Sequence, residues 1–249
     1  MGYGLRAAAA PEGSAPPRRQ GRGAGISCAG LPGKEACTVK NILCFGDSNT
    51  FGTDPVHGGR HPWPVRWPGA LQALLGPDYR IIEEGLGGRT TVFEDEIEPG
   101  RCGLQALPVC LGSHKPLDLV VVMLGTNDLK ARFHLTARDL GQAMGTLLQA
   151  LHSYPFAPDY PQPKVLVVSP IRILDTIEEG PFGCFTADAA PRSAQLAGVY
   201  RQAAERFGCA FFDAASAAGP SRLDSLHMDA ENHARLAQAL AEVIPPLLA

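Results

Sequence analysis

This chain has no long hydrophobic run, no strong charge of either sign and no paired-cysteine pattern. Each lack closes off a class of protein. The longest apolar stretch, Leu117 to Leu124, is interrupted by Asp118. It falls far short of the ~20 residues that a membrane-spanning helix needs, so no membrane partner is expected. A formal net charge of −3 gives no electrostatic footprint for nucleic acid or for an anionic bilayer. Seven cysteines, at 28, 37, 44, 102, 110, 184 and 209, include no Cys-x-x-Cys pair. They read as free thiols in a reducing compartment, and a cytoplasmic location is expected. His114, His134, His152 and His233 have no useful metal-ligand spacing and are expected at the surface, so no metal is expected. A Walker loop and a Gly-x-Gly-x-x-Gly fingerprint are absent, which argues against a nucleotide, and no cofactor is expected. The Gly-x-Ser-x-Gly elbow of α/β-hydrolases is absent too.

The composition that remains is globular. The 249 residues are 45% hydrophobic and 19% charged, enough for one α/β domain that needs no disulfide or metal staple. Residues 1–39 differ from the rest. They hold glycine, proline and an alanine run, lack apolar periodicity and carry an excess of basic residues. Such a segment cannot offset its ordering entropy by burial, so a disordered extension is expected. Arg18-Arg19 and Ile26-Ser27-Cys28 could suggest targeting signals, but the apolar stretch that either requires is missing.

From residue 40 the pattern alternates. Asn41–Phe45, Tyr79–Glu83, Leu117–Leu124, Lys164–Val168 and Cys209–Phe212 read as strands, the third rich in β-branched residues and buried on both faces. Helices are expected at Trp67–Leu75, Leu104–Leu111, from Thr136 with Asp139 as its cap pair, over Leu196–Phe207, and from Asp229 to Pro245-Pro246. Strand and helix alternating in this way imply a parallel sheet with helices on both faces.

In such sheets ligands bind beyond the carboxyl ends of the strands. There the sequence places Gly46-Asp47-Ser48-Asn49, then Gly87-Gly88, then Gly125-Thr126-Asn127-Asp128, and after the fifth strand Asp224-Ser225-Leu226-His227. These are the parts of acyl transfer. A hydroxyl needs a base, which His227 can be, and Asp224 can fix the imidazole tautomer. The backbone N–H groups of Ser48 and Gly88 and the amide of Asn127 could receive an oxyanion. Asp47 is expected to hold the turn. A second Asp-x-x-His, Asp54 to His57, lies in a Pro/Gly-rich loop and is expected to be a solvated turn.

The four blocks, in this order over residues 40–249, resemble the SGNH (GDSL-type) hydrolases. Ile42 to Ser48, Glu83 to Leu86, Arg89 to Thr91 and Met123 to Asp128 look most like their aryl esterase/acyltransferase branch. Asn49 stands where the family name has leucine, and Phe51 and Thr53 stand where that branch often has tryptophans. The resemblance implies a flavodoxin-like three-layer α/β sandwich with a five-stranded parallel sheet. It also implies a Ser48–His227–Asp224 triad, an oxyanion hole of Ser48, Gly88 and Asn127, and ester hydrolysis without cofactor.

The substrate expected is a small, short-acyl aryl or alkyl ester, with acyl transfer to alcohols or peroxide as a further outcome. The alternatives are a deacetylase of acetylated sugars and a non-catalytic binding module. Asn49, Phe51, Lys130 and Leu226 flank the catalytic blocks and are expected to meet substrate. The segment Ile171 to Phe185, with Ile171, Phe182 and Phe185, is expected to wall an acyl pocket or to pack a homo-oligomer interface.

Overall fold

The computed structural model describes residues 39–249; the extension expected at 1–39 therefore lies, but for its last residue, outside the described residues. Five strands form one sheet: β1 Lys40–Gly46, β2 Tyr79–Gly85, β3 Leu119–Met123, β4 Lys164–Ser169 and β5 Ala210–Asp213. All neighbours are parallel, in the order β2-β1-β3-β4-β5. That is the flavodoxin-like order, with its switch point between β1 and β3.

The helices are α1 Ser48–Phe51, α2 Trp67–Leu75, α3 Gly103–His114, α4 Ala137–His152, α5 Ala189–Ser193, α6 Leu196–Arg206 and α7 Ala230–Leu248. Alternation along the strands sorts the core into two layers. Leu43, Phe45, Val120, Val122, Val165 and Val167 face Leu107 and Leu111 of α3, Leu140 and Met144 of α4, and Tyr200 of α6. Ile42, Cys44, Val121, Met123, Leu166 and Val168 face Trp67 and Leu71 of α2 and Leu236, Leu240 and Ile244 of α7. Both faces of the central strand are thus buried, as its run of valines requires.

Helix starts follow the expected side chains. Thr136 and Asp139 form a reciprocal capping box on α4, and Asp229 accepts from Asn232 N–H at the start of α7. Two expectations are corrected. Pro245-Pro246 does not end α7, which continues to Leu248. Proline's fixed φ is itself helical, and the bonds it forfeits fall at half-buried Ala241 and exposed Glu242, within reach of water. The Lys164 ammonium then donates to the Leu247 carbonyl. His233 is not a surface residue but is 0% exposed, between α7 and α2, where its Nδ1 accepts from Trp67 N–H at 3.2 Å. Among the described residues, no helix is long and apolar enough to cross a membrane.

Candidate active site

Strand β1 ends at Gly46, and the chain turns at once into α1. The Asp47 carboxylate caps this turn, its Oδ1 accepting from Asn49 N–H at 2.9 Å. The turn sets Ser48 at the carboxyl edge of the sheet, on the first residue of α1. Burial pushes the Asp47 carboxyl up to about 6, although the Asn49 N–H and the nearby His227 and Arg89 pull the other way.

The loop between β5 and α7 brings the imidazole. His227 Nε2 lies 2.9 Å from Ser48 Oγ, and His227 Nδ1 lies 2.7 Å from Asp224 Oδ2. The other carboxylate oxygen of Asp224 accepts from Leu226 N–H at 3.0 Å and from His227 N–H at 2.9 Å. Burial alone would raise the Asp224 carboxyl. The bonds from the His227 ring and from the two backbone amides outweigh it and hold the group below the usual carboxylate range. An anion at Nδ1 leaves Nε2 as the acceptor that faces the hydroxyl.

Two further loops complete the edge. Gly88 has φ +79°, and a Cβ there would lie 2.7 Å from Glu98 Oε2, so a side chain would be strained and obstructed alike. Asn127 donates one amide hydrogen to Arg89 O at 3.1 Å, and among the described residues the second has no acceptor. Among the described residues, no hydrogen bond engages the backbone N–H of Ser48 or of Gly88. Asp128, fully buried, accepts from Thr91 N–H and Thr91 Oγ and so ties the Asn127 turn to the Gly88 loop. Its carboxyl is pushed up to about 6 by burial, against the Thr91 bonds.

The residues expected to meet substrate divide. Phe182 is half-buried and stands edge-on to the His227 ring, 5.3 Å between centroids. Phe51 is half-buried beneath the Arg60 guanidinium at 4.1 Å. Ile171 and Phe185 are each 2% exposed and belong to the two core layers on opposite faces of the sheet. Leu226 is buried within the catalytic loop, between Asp224 and His227. Asn49 is buried, with both ends of its amide engaged by backbone: Nδ2 donates to Leu226 O at 3.2 Å, and Oδ1 accepts from Met228 N–H at 3.0 Å. Its amide therefore has partners on the loop that carries His227.

Lys130 is buried in a charge network absent from the sequence reading. Its Nζ lies 2.8 Å from Glu98 Oε1 and 3.5 Å from Asp95 Oδ2, and Arg132 bridges the same two carboxylates at 2.7 and 2.6 Å. The one sequence signal was the acidic run Glu94 to Glu98, a few residues after Gly88. The second Asp-x-x-His makes the same local turn as the first: Asp54 accepts from Val56 N–H, His57 N–H and His57 Nδ1. Its imidazole is 81% exposed.

A flavodoxin-like parallel sheet with a serine, histidine and aspartate linked at its carboxyl edge has the architecture of SGNH-type ester hydrolases. The chain belongs to the GDSL-like lipase/acylhydrolase family, which matches residues 44–235. It is similar to the aryl esterase of M. smegmatis, at 40% identity over 84% of this chain and 100% of that one, TM-score 0.78. It is similar also to a carbohydrate acetylesterase family member from Sinorhizobium meliloti, at 38% identity over 84% and 99%, TM-score 0.80. A lipase/acylhydrolase from Enterococcus faecalis, 19% identical over 82% and 95% with TM-score 0.60, shares the fold. No curated protein matches the sequence. The protein is a carboxylic ester hydrolase of this family.

Proposed function

We propose that the protein is a serine esterase for small, short-acyl esters that works through an acyl-enzyme on Ser48. The observation that carries this reading is the unbroken chain from Ser48 Oγ to His227 at 2.9 Å and on to Asp224 at 2.7 Å. Ser48 Oγ attacks the ester carbonyl carbon while His227 Nε2 takes its proton. The carbonyl oxygen becomes an oxyanion facing Ser48 N–H, Gly88 N–H and the free amide hydrogen of Asn127. The tetrahedral intermediate collapses, the C–O bond to the alcohol breaks, and the imidazolium returns its proton to the leaving oxygen. Water, deprotonated by His227, then attacks the acyl-enzyme and releases acid and Ser48. An alcohol or a peroxide can replace water in the second half, which makes the product an ester or a peracid. Asp224 stays ionised throughout and stabilises the imidazolium.

Phe182 stands edge-on to the catalytic ring, and an aromatic side chain at that place supports a short acyl group. A second reading, a deacetylase of acetylated sugars, draws on a different observation. The Glu98 carboxylate hangs beside Gly88, held by Lys130 and Arg132. A charged rim of this kind suits a hydroxyl-rich alcohol.

Labelling with a fluorophosphonate probe tests the chemistry. Ser48 should carry the label, and Ser48→Ala and His227→Ala should each lower turnover by several orders of magnitude. Their double variant should lose little more, since the residues act as a unit. An unlabelled, inactive protein would be a binding module. Aryl acetates, longer acyl esters and acetylated sugars, compared by kcat/KM, decide between the two esterase readings.

A further inference from the structure

Asn49 follows the nucleophile directly, and its carboxamide reaches across to the loop that carries the base. Nδ2 donates to the carbonyl of Leu226, and Oδ1 accepts from the N–H of Met228, so the two bonds frame His227 from either side. The other backbone bonds of Leu226 and His227 among the described residues are internal to their own loop. Leu226 and His227 N–H go to Asp224, and the His227 carbonyl accepts from Ser221 N–H at 2.7 Å. Asn49 alone of these partners comes from α1. Its own N–H is fixed by Asp47, so the path from Ser48 to His227 through Asn49 is short and fully hydrogen-bonded.

The loop needs such a hold. Ser225 sits at φ +63°, a conformation that side chains seldom adopt. It is kept there by Thr176 Oγ at 2.7 Å and by Leu174 N–H, which donates to its carbonyl. Those contacts fix the far end of the loop and none of them fixes its distance from Ser48.

We infer that Asn49 is a positioning residue: its amide clasp on the Leu226 and Met228 peptides sets the spacing between Ser48 Oγ and His227 Nε2 on which proton transfer depends. This rests on the esterase reading above. Leucine, a side chain of similar size, fills the space but supplies neither donor nor acceptor, and leaves a buried carbonyl and a buried N–H without partners. The base would then relax away from the hydroxyl. Misplacement on the order of 1 Å costs up to about 100-fold in rate.

The test compares the full-length enzyme with Asn49→Leu and Asn49→Asp on one aryl acetate. Asn49→Leu should lower kcat by about 10–100-fold with KM within about threefold. The far-downfield proton resonance of the His227–Asp224 hydrogen bond should shift or broaden. Asn49→Asp keeps the acceptor and regains a donor only when protonated, so its rate relative to the unaltered enzyme should rise as pH falls. Unchanged kcat and resonance in Asn49→Leu would overturn the inference, and so would an effect confined to KM, which would return Asn49 to the substrate. If Asn49→Leu does not fold, Asn49→Asp decides, and a pH-independent ratio overturns. Ser48→Ala, run alongside, separates the two levels. Full activity there would remove the esterase reading itself, whatever Asn49 does.

Discussion

Asn127 divides its amide between two tasks. One hydrogen is anchored on the Arg89 carbonyl, and the mechanism proposed above gives the other to the oxyanion. On that proposal, Asn127→Ala removes a donor to charge that develops only in the transition state. Turnover should therefore fall by about 10²–10³, or roughly 2.7–4 kcal/mol, with little change in KM. Asn127→Asp should do at least as much harm, because it sets a negative charge against the forming oxyanion. A change in KM alone would make Asn127 a substrate contact. The two Asp-x-x-His pairs show how far a residue pattern reaches. Both fold into the same turn with the same carboxylate–imidazole bond, yet only His227 meets a serine. His57→Ala is accordingly expected to leave activity nearly unchanged. What separates them is their place in the sheet order.

The element that follows β4 holds the least legible part of the site. Its apolar residues read in sequence as one wall, but the chain folds them to different ends. Ile171 and Phe185 enter the core on opposite sides of the sheet, while Phe182 turns to His227. Phe182→Ala should therefore alter the preference between acetyl and longer acyl esters, by about 10–200-fold for each methylene accommodated or lost, with a small effect on stability. Phe185→Ala should cost about 3–5 kcal/mol of stability in a denaturant titration and leave the acyl profile of the folded fraction unchanged. The reverse pattern would place the pocket at Phe185. The strands, the α4 capping box and the α7 cap were legible because period and cap chemistry are local. The four blocks were legible because each closes a strand or opens a helix. The fates of Asn49, Lys130, Phe185 and His233 were not legible. Each depends on what another element brings opposite it: the His227 loop, Glu98, the α4–α6 layer and Trp67.

Across the whole molecule, the two layers that sandwich the sheet carry buried titrating groups of opposite sense. Beside the α3–α4–α6 layer, burial raises Asp128 from 3.8 to about 6, with the buried Tyr200 hydroxyl near enough to feel its charge. Within the α2–α7 layer, burial first, and then the neighbouring His61, lowers His233 from 6.5 to about 3. The signs follow from proton counting. Between about pH 4 and pH 6 the folded state holds the Asp128 proton more tightly than the unfolded chain does, so this group makes stability fall as pH rises. Between about pH 3 and pH 6.5 the unfolded chain protonates His233 and the fold does not, so this group makes stability rise with pH. Each unit of difference is worth about 1.4 kcal/mol where it acts in full. Asp128→Asn keeps an acceptor for Thr91, and His233→Asn keeps one for the Trp67 N–H, so each removes a titration without removing its main contact. Thermal unfolding of the three proteins from about pH 4 to pH 6.5 should then diverge. The Tm of Asp128→Asn relative to the unaltered protein should climb with pH, and that of His233→Asn should decline. The slopes carry the test, because each substitution also shifts the level by a constant. Parallel curves would mean that both side chains titrate in the fold as they do in the unfolded chain, and that neither layer excludes water from them.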